Sequence, residues 1–281
     1  MGVDETIAES PVDRFTAPAP PPADPPADPP PVPPGPGNEP AAAVGPARPA
    51  EAVAAPAAGG APRPNRRPRP AAVPHADAYD AALAAASLAQ LKAIVAGFDG
   101  CPLKATATSL VFGDGVADAA VVCIGEAPGA EEDRLGLPFV GASGRLLDKM
   151  LASIGLDRKV NVFISNTVFW RPPGNRQPTP WEIATCQPFV QRIVELVRPR
   201  LLIALGGPAA TTLTGQAESV GRLRGRWFEY HTPGLPAPVP MTALFHPAYL
   251  LRSPSQKRLA WRDLLAVRRR LAASGDTDAA A

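Results

Sequence analysis

The chain has 281 residues, a formal net charge of +2 at pH 7, 38 prolines and three cysteines. So mild a charge excess does not demand nucleic acid as a partner, and cysteines at 101, 123 and 186 show no paired framework of the secreted kind. No apolar run is long enough to span a bilayer and no basic, apolar leader opens the chain, so a cytoplasmic protein without a membrane partner is expected.

Twenty-two of the prolines lie before residue 75. Residues 1–74 are largely Pro, Ala, Asp and Gly, a composition that buries too little apolar surface to offset the entropy of ordering; disorder is expected there and over 276–281. The basic cluster Arg63, Arg66, Arg67 and Arg69 reads as a solubilising linker, with nonspecific contact to nucleic acid as the alternative. Residues 75–275 suit one globular domain, and nothing in them demands more than a monomer.

Residues 76–97 are rich in alanine, with Leu83, Leu88, Leu91, Ile94 and Val95 near helical spacing, which predicts a single first helix. Four apolar, β-rich segments then alternate with amphipathic ones. Strands are predicted over Val121–Glu126, Val162–Asn166, Leu201–Gly206 and Thr242–Phe245, and helices over 144–155, 180–198, 208–214 and 255–273. Thr179, Pro180 and Glu182 form a capping box with proline at the first helical position, which fixes the start of one helix. The alternation predicts a three-layer α/β/α fold around a central, mostly parallel four-stranded sheet.

The stretch GEAPGAEEDRLGLPFVG, Gly125 to Gly141, leaves the first of these strands and enters a helix, which is where open α/β sheets bind ligands. Its glycines and prolines shape an irregular loop that a small flat ligand can approach; Glu126, Glu131, Glu132 and Asp133 add carboxylates and Phe139 an aromatic face. Neither a dinucleotide fingerprint nor a P-loop is present. The plainer alternative is an acidic loop that caps a helix. Glu126, Asn166 and His246 each close a predicted strand, so right-handed crossovers bring them to one rim. Singly, Asn166 is explained as a turn residue and His246 as a strand-end cap; together they outline a site.

Three motifs, Gly125–Gly141, Asn166–Pro178 (NTVFWRPPGNRQP) and His246–Arg252 (HPAYLLR), resemble in order and spacing those of the family 4 uracil-DNA glycosylases, a bacterial and archaeal branch. The resemblance covers about 98–268. It implies a repair enzyme that flips uracil out of DNA and hydrolyses its N-glycosidic bond, leaving an abasic site. By resemblance, Gly125, Ala127, Phe139 and Asn166 hold the base: the ring stacks on it, and the amide donates to O4 and accepts from N3–H. His246 steadies the departing base, and Glu126, with Glu132 next, steadies the sugar cation or orients water. Relatives elsewhere in the superfamily carry Asp or Asn where this chain has Ala127. Leu250 and Leu251 are expected to wedge into the gap left by the base, while Arg171, Arg176 and Arg252 grip phosphates.

Family 4 members typically hold a four-iron, four-sulfur cluster on four cysteines. Only Cys101 and Cys186 fall at those positions here; Phe98 and Trp170 stand at the other two. The expectation is therefore no cofactor, with the two rings filling the cluster's volume and Cys123 packing as a small hydrophobe. Rival readings are a noncatalytic module that binds uracil or damaged DNA, and an enzyme acting on small nucleosides.

Overall fold

The computed structural model describes residues 76–273; the expected disordered segments 1–74 and 276–281, and the tail's arginine cluster, lie outside the described residues. The predicted apolar runs are strands, and three of the four are buried at every position, as parallel strands covered on both faces must be. In chain order the strands are β1 (Asp114–Gly115), β2 (Val121–Gly125), β3 (Val162–Asn166), β4 (Leu201–Leu205), β5 (Trp227–Tyr230) and β6 (Val239–Leu244). They form one sheet in the order β1-β3-β2-β4-β6-β5. β2 pairs in parallel with β3 and β4, and β4 with β6.

The sheet has six strands rather than four, because β1 and β5 add antiparallel edges to β3 and β6. β1 is two residues long and carries no periodic signal. The aromatic run Trp227-Phe-Glu-Tyr230 of β5 does carry a strand signal, and it closes an edge that β6 would otherwise leave unpaired.

The helices are α1 (Ala76–Leu83), α2 (Leu88–Gly97), α3 (Ala130–Leu135), α4 (Ala142–Ala152), α5 (Pro180–Val197), α6 (Gly207–Thr214), α7 (Val220–Leu223), α8 (Pro247–Arg252) and α9 (Lys257–Ala273). Alternation along the strands sorts them into two layers. Val122, Ile124 and Leu202 face a core with Leu91 and Val95 of α2 and Phe189 and Ile193 of α5. Val121, Cys123 and Ile203 face the opposite one, with Leu147 and Leu151 of α4, Leu250 of α8, and Leu264 and Val267 of α9.

Two local expectations need correction. The predicted helix over 76–97 is two helices, broken where the Ser87 hydroxyl accepts from the Gln90 amide at 3.2 Å and caps α2. Residues 130–135, expected as loop, form α3. Its first turn is capped by Glu132, and Gly136 ends it in the left-handed region at φ 69°. The Thr179 capping box is present as predicted, with the Glu182 amide on the Thr179 hydroxyl at 3.2 Å and the Thr179 amide on the Glu182 carboxylate at 2.7 Å.

Candidate active site

The parallel strands all point their C-terminal ends to one edge, and the register sets Gly125 beside Asn166 and Leu205 beside Leu244. A cavity of about 550 Å³ opens on that edge. Since β2 is followed by β3 on one side and β4 on the other, the cavity sits where strand order reverses, the usual ligand position in such sheets. Glu126, Ala127, Glu132, Phe139, Asn166, Arg176, His246 and Arg252 all line it, so residues up to 126 positions apart meet around one volume.

The strand ends are stitched together beneath it. The Thr167 amide donates to the Gly125 carbonyl at 2.9 Å, and the Thr167 hydroxyl to the Glu126 carbonyl at 2.6 Å. Gly125 does not line the cavity but lies directly behind it. A Cβ there would stand 2.5 Å from Asn166 Oδ1 and 2.7 Å from Phe139 Cζ, so only glycine lets amide and ring come so close. Asn166 is buried and its Oδ1 has no hydrogen-bond partner. A buried carbonyl oxygen without a donor costs about 1–3 kcal/mol, a penalty removed by a ligand that brings an N–H.

The Phe139 and His246 rings lie 5.5 Å apart at 33°, forming one wall. The Ala248 amide donates to His246 Nδ1 at 3.1 Å, so this nitrogen presents its lone pair and the neutral ring carries its proton on Nε2. Burial, and then the positive charge of Arg252, lower the His246 pKa to about 4, against an opposing pull from Glu132. The imidazole is therefore neutral at pH 7. Its Cβ lies 3.0 Å from where a Cβ on Gly206 would stand, and Gly206 has φ +93°. Burial raises the pKa of the half-buried Glu126 carboxyl, which moves it toward neutral pH.

Glu132 reaches the cavity differently. One carboxylate oxygen accepts from the Gly129 amide at 3.1 Å and the other from the amides of Val140 and Gly141 at 3.0 and 3.1 Å. It ties the start of α3 to the Phe139 loop, and the helix-capping alternative holds for this residue alongside the site.

The uracil DNA glycosylase superfamily profile matches residues 112–265, the segment that carries every wall of this cavity. The chain belongs to the uracil-DNA glycosylase superfamily, in its type-4 branch. It is 41% identical over 158 residues to the type-4 uracil-DNA glycosylase of Archaeoglobus fulgidus, covering 55% of this chain and 78% of that protein. Identity to the type-4 protein of Pyrobaculum aerophilum is 37% over 181 residues (63% and 91%), and to that of Thermotoga maritima 39% over 167 residues (58% and 84%).

Around the glycosylase cavity, the residues expected to touch DNA divide. Arg252 is exposed on the rim, and Arg171 lies outside the cavity with its Nε on Asn175 Oδ1 at 2.7 Å. Arg176 lines the cavity but is held by both Glu182 oxygens, at 2.6 and 2.8 Å, so its charge is already matched. The expectation of two wedge leucines is corrected: α8 turns Leu250 inward to 1% exposure in the core while Leu251 stays 43% exposed. Neighbouring helical positions lie about 100° apart, so only one of the pair can face out.

Several lining residues were given no role by the sequence, among them Ser143 at the start of α4, Tyr249 within the third motif, and Gly206, Gly207 and Pro208 after β4. The last three had a legible signal, since Gly206 closes a predicted strand as Glu126 and Asn166 do, and Gly207 and Pro208 follow it directly.

The glycosylase resemblance also implies an iron–sulfur cluster, and the residues present do not fit one. Cys101 and Cys186 are buried and free; the neighbouring Cys101 thiol, and then burial, hold Cys186 well above the usual thiol range. Phe98 packs edge-on to Phe189 at 5.0 Å and Trp170 edge-on to Phe169 at 6.2 Å, in the same core as the two thiols. Cys123 lies in the opposite core. Among the described residues no group of three or more His, Cys, Asp or Glu side chains is placed to hold a metal. Among them, too, no helix is long and apolar enough to cross a membrane.

Proposed function

We propose that this chain excises uracil from DNA by hydrolysing the bond between the base and deoxyribose. The observation that carries the proposal is the meeting of Phe139, the unpartnered Asn166 amide oxygen, the neutral His246 and the half-buried Glu126 in one cavity. Superfamily membership gives the reaction class. A flipped uracil stacks on Phe139 and presents N3–H to Asn166 Oδ1 and O4 to the amide nitrogen. Cytosine has a lone pair at N3 and a donor at C4, so both contacts would be mismatched.

In the reaction, the C1′–N1 bond breaks with its electron pair leaving on uracil. His246 Nε2–H donates a hydrogen bond to the base oxygen on which the charge gathers. The Glu126 carboxylate faces the developing sugar cation and takes a proton from the water whose oxygen bonds to C1′. Uracil is protonated from solvent, so one water is consumed and free uracil and an abasic site result. Glu132, with its oxygens on three backbone amides, shapes the stacking loop rather than activating water. Arg171 and Arg252 meet phosphates and Leu251 is the wedge. The protein works without an iron–sulfur cluster, as a cytoplasmic monomer; three free, buried thiols suit a reducing compartment.

Uracil release from a labelled single-stranded oligonucleotide tests this. His246→Ala and Glu126→Ala should each slow release by about 100- to 1,000-fold while leaving oligonucleotide binding in place. Clean binding without release by the wild type would favour the noncatalytic module. Turnover of free deoxyuridine as fast as of DNA would favour the nucleoside enzyme.

A further inference from the structure

Phe139 has φ +53°, a left-handed conformation that a bulky side chain rarely adopts. Something must hold it there, and the surrounding contacts are unusually complete. The Arg158 guanidinium donates to the Phe139 carbonyl at 3.0 Å and to the Pro138 carbonyl at 3.1 Å. From the other side, Glu132 takes the amides of Val140 and Gly141. Gly144 presses so closely that a Cβ would overlap the Phe139 carbonyl oxygen, 1.8 Å away.

Arg158 is itself pinned. Asp148 Oδ1 accepts from Nε at 2.9 Å and from one terminal nitrogen at 2.7 Å, while Asp114 Oδ2, on β1, accepts from the other at 3.0 Å. Its side chain is only 13% exposed, and it does not line the cavity. The planar fork thus spans two carboxylates and two consecutive carbonyls, which a lysine cannot do.

We propose that Arg158, locked by Asp114 and Asp148, is a positioning residue that sets the Phe139 ring against the flipped base. It rests on the proposed function, because the ring matters only if a base stacks on it. Arg158 never touches substrate; it acts through the carbonyls of residues 138 and 139, fixing the ring before DNA arrives so that stacking requires no ordering step.

A double-mutant cycle tests it, using Arg158→Met, Phe139→Leu and the pair, read as single-turnover uracil release and, separately, as affinity for an oligonucleotide carrying a stable abasic-site analogue. Each single change should slow release by about 10- to 100-fold, with affinity for the abasic analogue within about twofold of wild type. The double variant should be no slower than the worse single, within about threefold, since both remove one aligned ring. Multiplying effects, an Arg158→Met rate equal to wild type, or affinity lost in step with rate would each overturn the proposal. Should Arg158→Met not fold, Asp148→Asn decides instead, because that carboxylate is half-exposed and holds only one side of the fork. A slower, non-additive Asp148→Asn supports positioning, and a wild-type rate overturns it. If Phe139→Leu alone leaves release at the wild-type rate, the stacking role fails and the positioning proposal with it, while uracil excision stands; no release by the wild type refutes the proposed function instead.

Discussion

Protonating His246 should destabilise the fold, and the size of that effect follows from its surroundings. Its pKa falls from an ordinary 6.5 to about 4 because the ring is buried beside Arg252. In the unfolded chain the ring takes a proton near pH 6.5, whereas in the folded protein it does so only near 4. The unfolded state therefore binds more protons between those values, and stability falls as pH drops through that window. Above pH 6.5 the contribution is fully present. Relative to pH 8 the loss is about 1.4 kcal/mol at pH 5.5 and about 2.6 kcal/mol at pH 4.5, with a limit of about 3.4 kcal/mol well below pH 4.

Other groups titrate in the same range, so the effect is best read as a difference between wild type and His246→Gln. Urea denaturation at pH 8, 5.5 and 4.5 gives both stabilities. The variant loses the ring packing against Phe139 and should be the less stable protein at pH 8, then gain about 2.6 kcal/mol on wild type by pH 4.5. Parallel curves for the two proteins would refute a depressed His246 pKa and, with it, the buried neutral imidazole assigned to the leaving base.

The two leucines of α8 should separate fold from function. Leu250→Ala should cost about 2–5 kcal/mol of stability, because it empties a core position. Leu251→Ala should change stability by less than about 0.5 kcal/mol, yet slow uracil release from duplex by about tenfold and hardly affect single strands, where no gap needs filling. Anaerobically purified protein should contain no stoichiometric iron and no broad visible absorption; about four irons per chain would overturn the cluster-free reading.

Much of the site was legible because it lies where strands end. Glu126, Asn166 and His246 each close an apolar run, and parallel pairing with right-handed crossovers has no other place to put such residues. Phe139 was legible as the aromatic face of the glycine-rich loop and Ala127 through motif resemblance, and the cavity contains both. Arg158 carried no signal at all, because its four partners come from β1, α4 and the Phe139 loop, and no periodicity links them. The ion pair of Arg176 was hidden for a related reason. A cation in a proline-rich loop looks available for phosphate until the start of α5 places Glu182 against it.

From residue order alone come the parallel centre of the sheet, the Thr179 helix start and the rim at which Glu126, Asn166 and His246 meet, since burial period and capping are local properties of a chain. Tertiary structure decided the edges, the direction of each α8 leucine and the left-handed Phe139. Edge strands exist only when a neighbour offers unpaired backbone, and a helix faces inward only against a core already assembled. The left-handed backbone at Phe139 has its carbonyl held by Arg158, nineteen residues on. Each of these depends on groups distant in sequence, so no window of residues contains the cause.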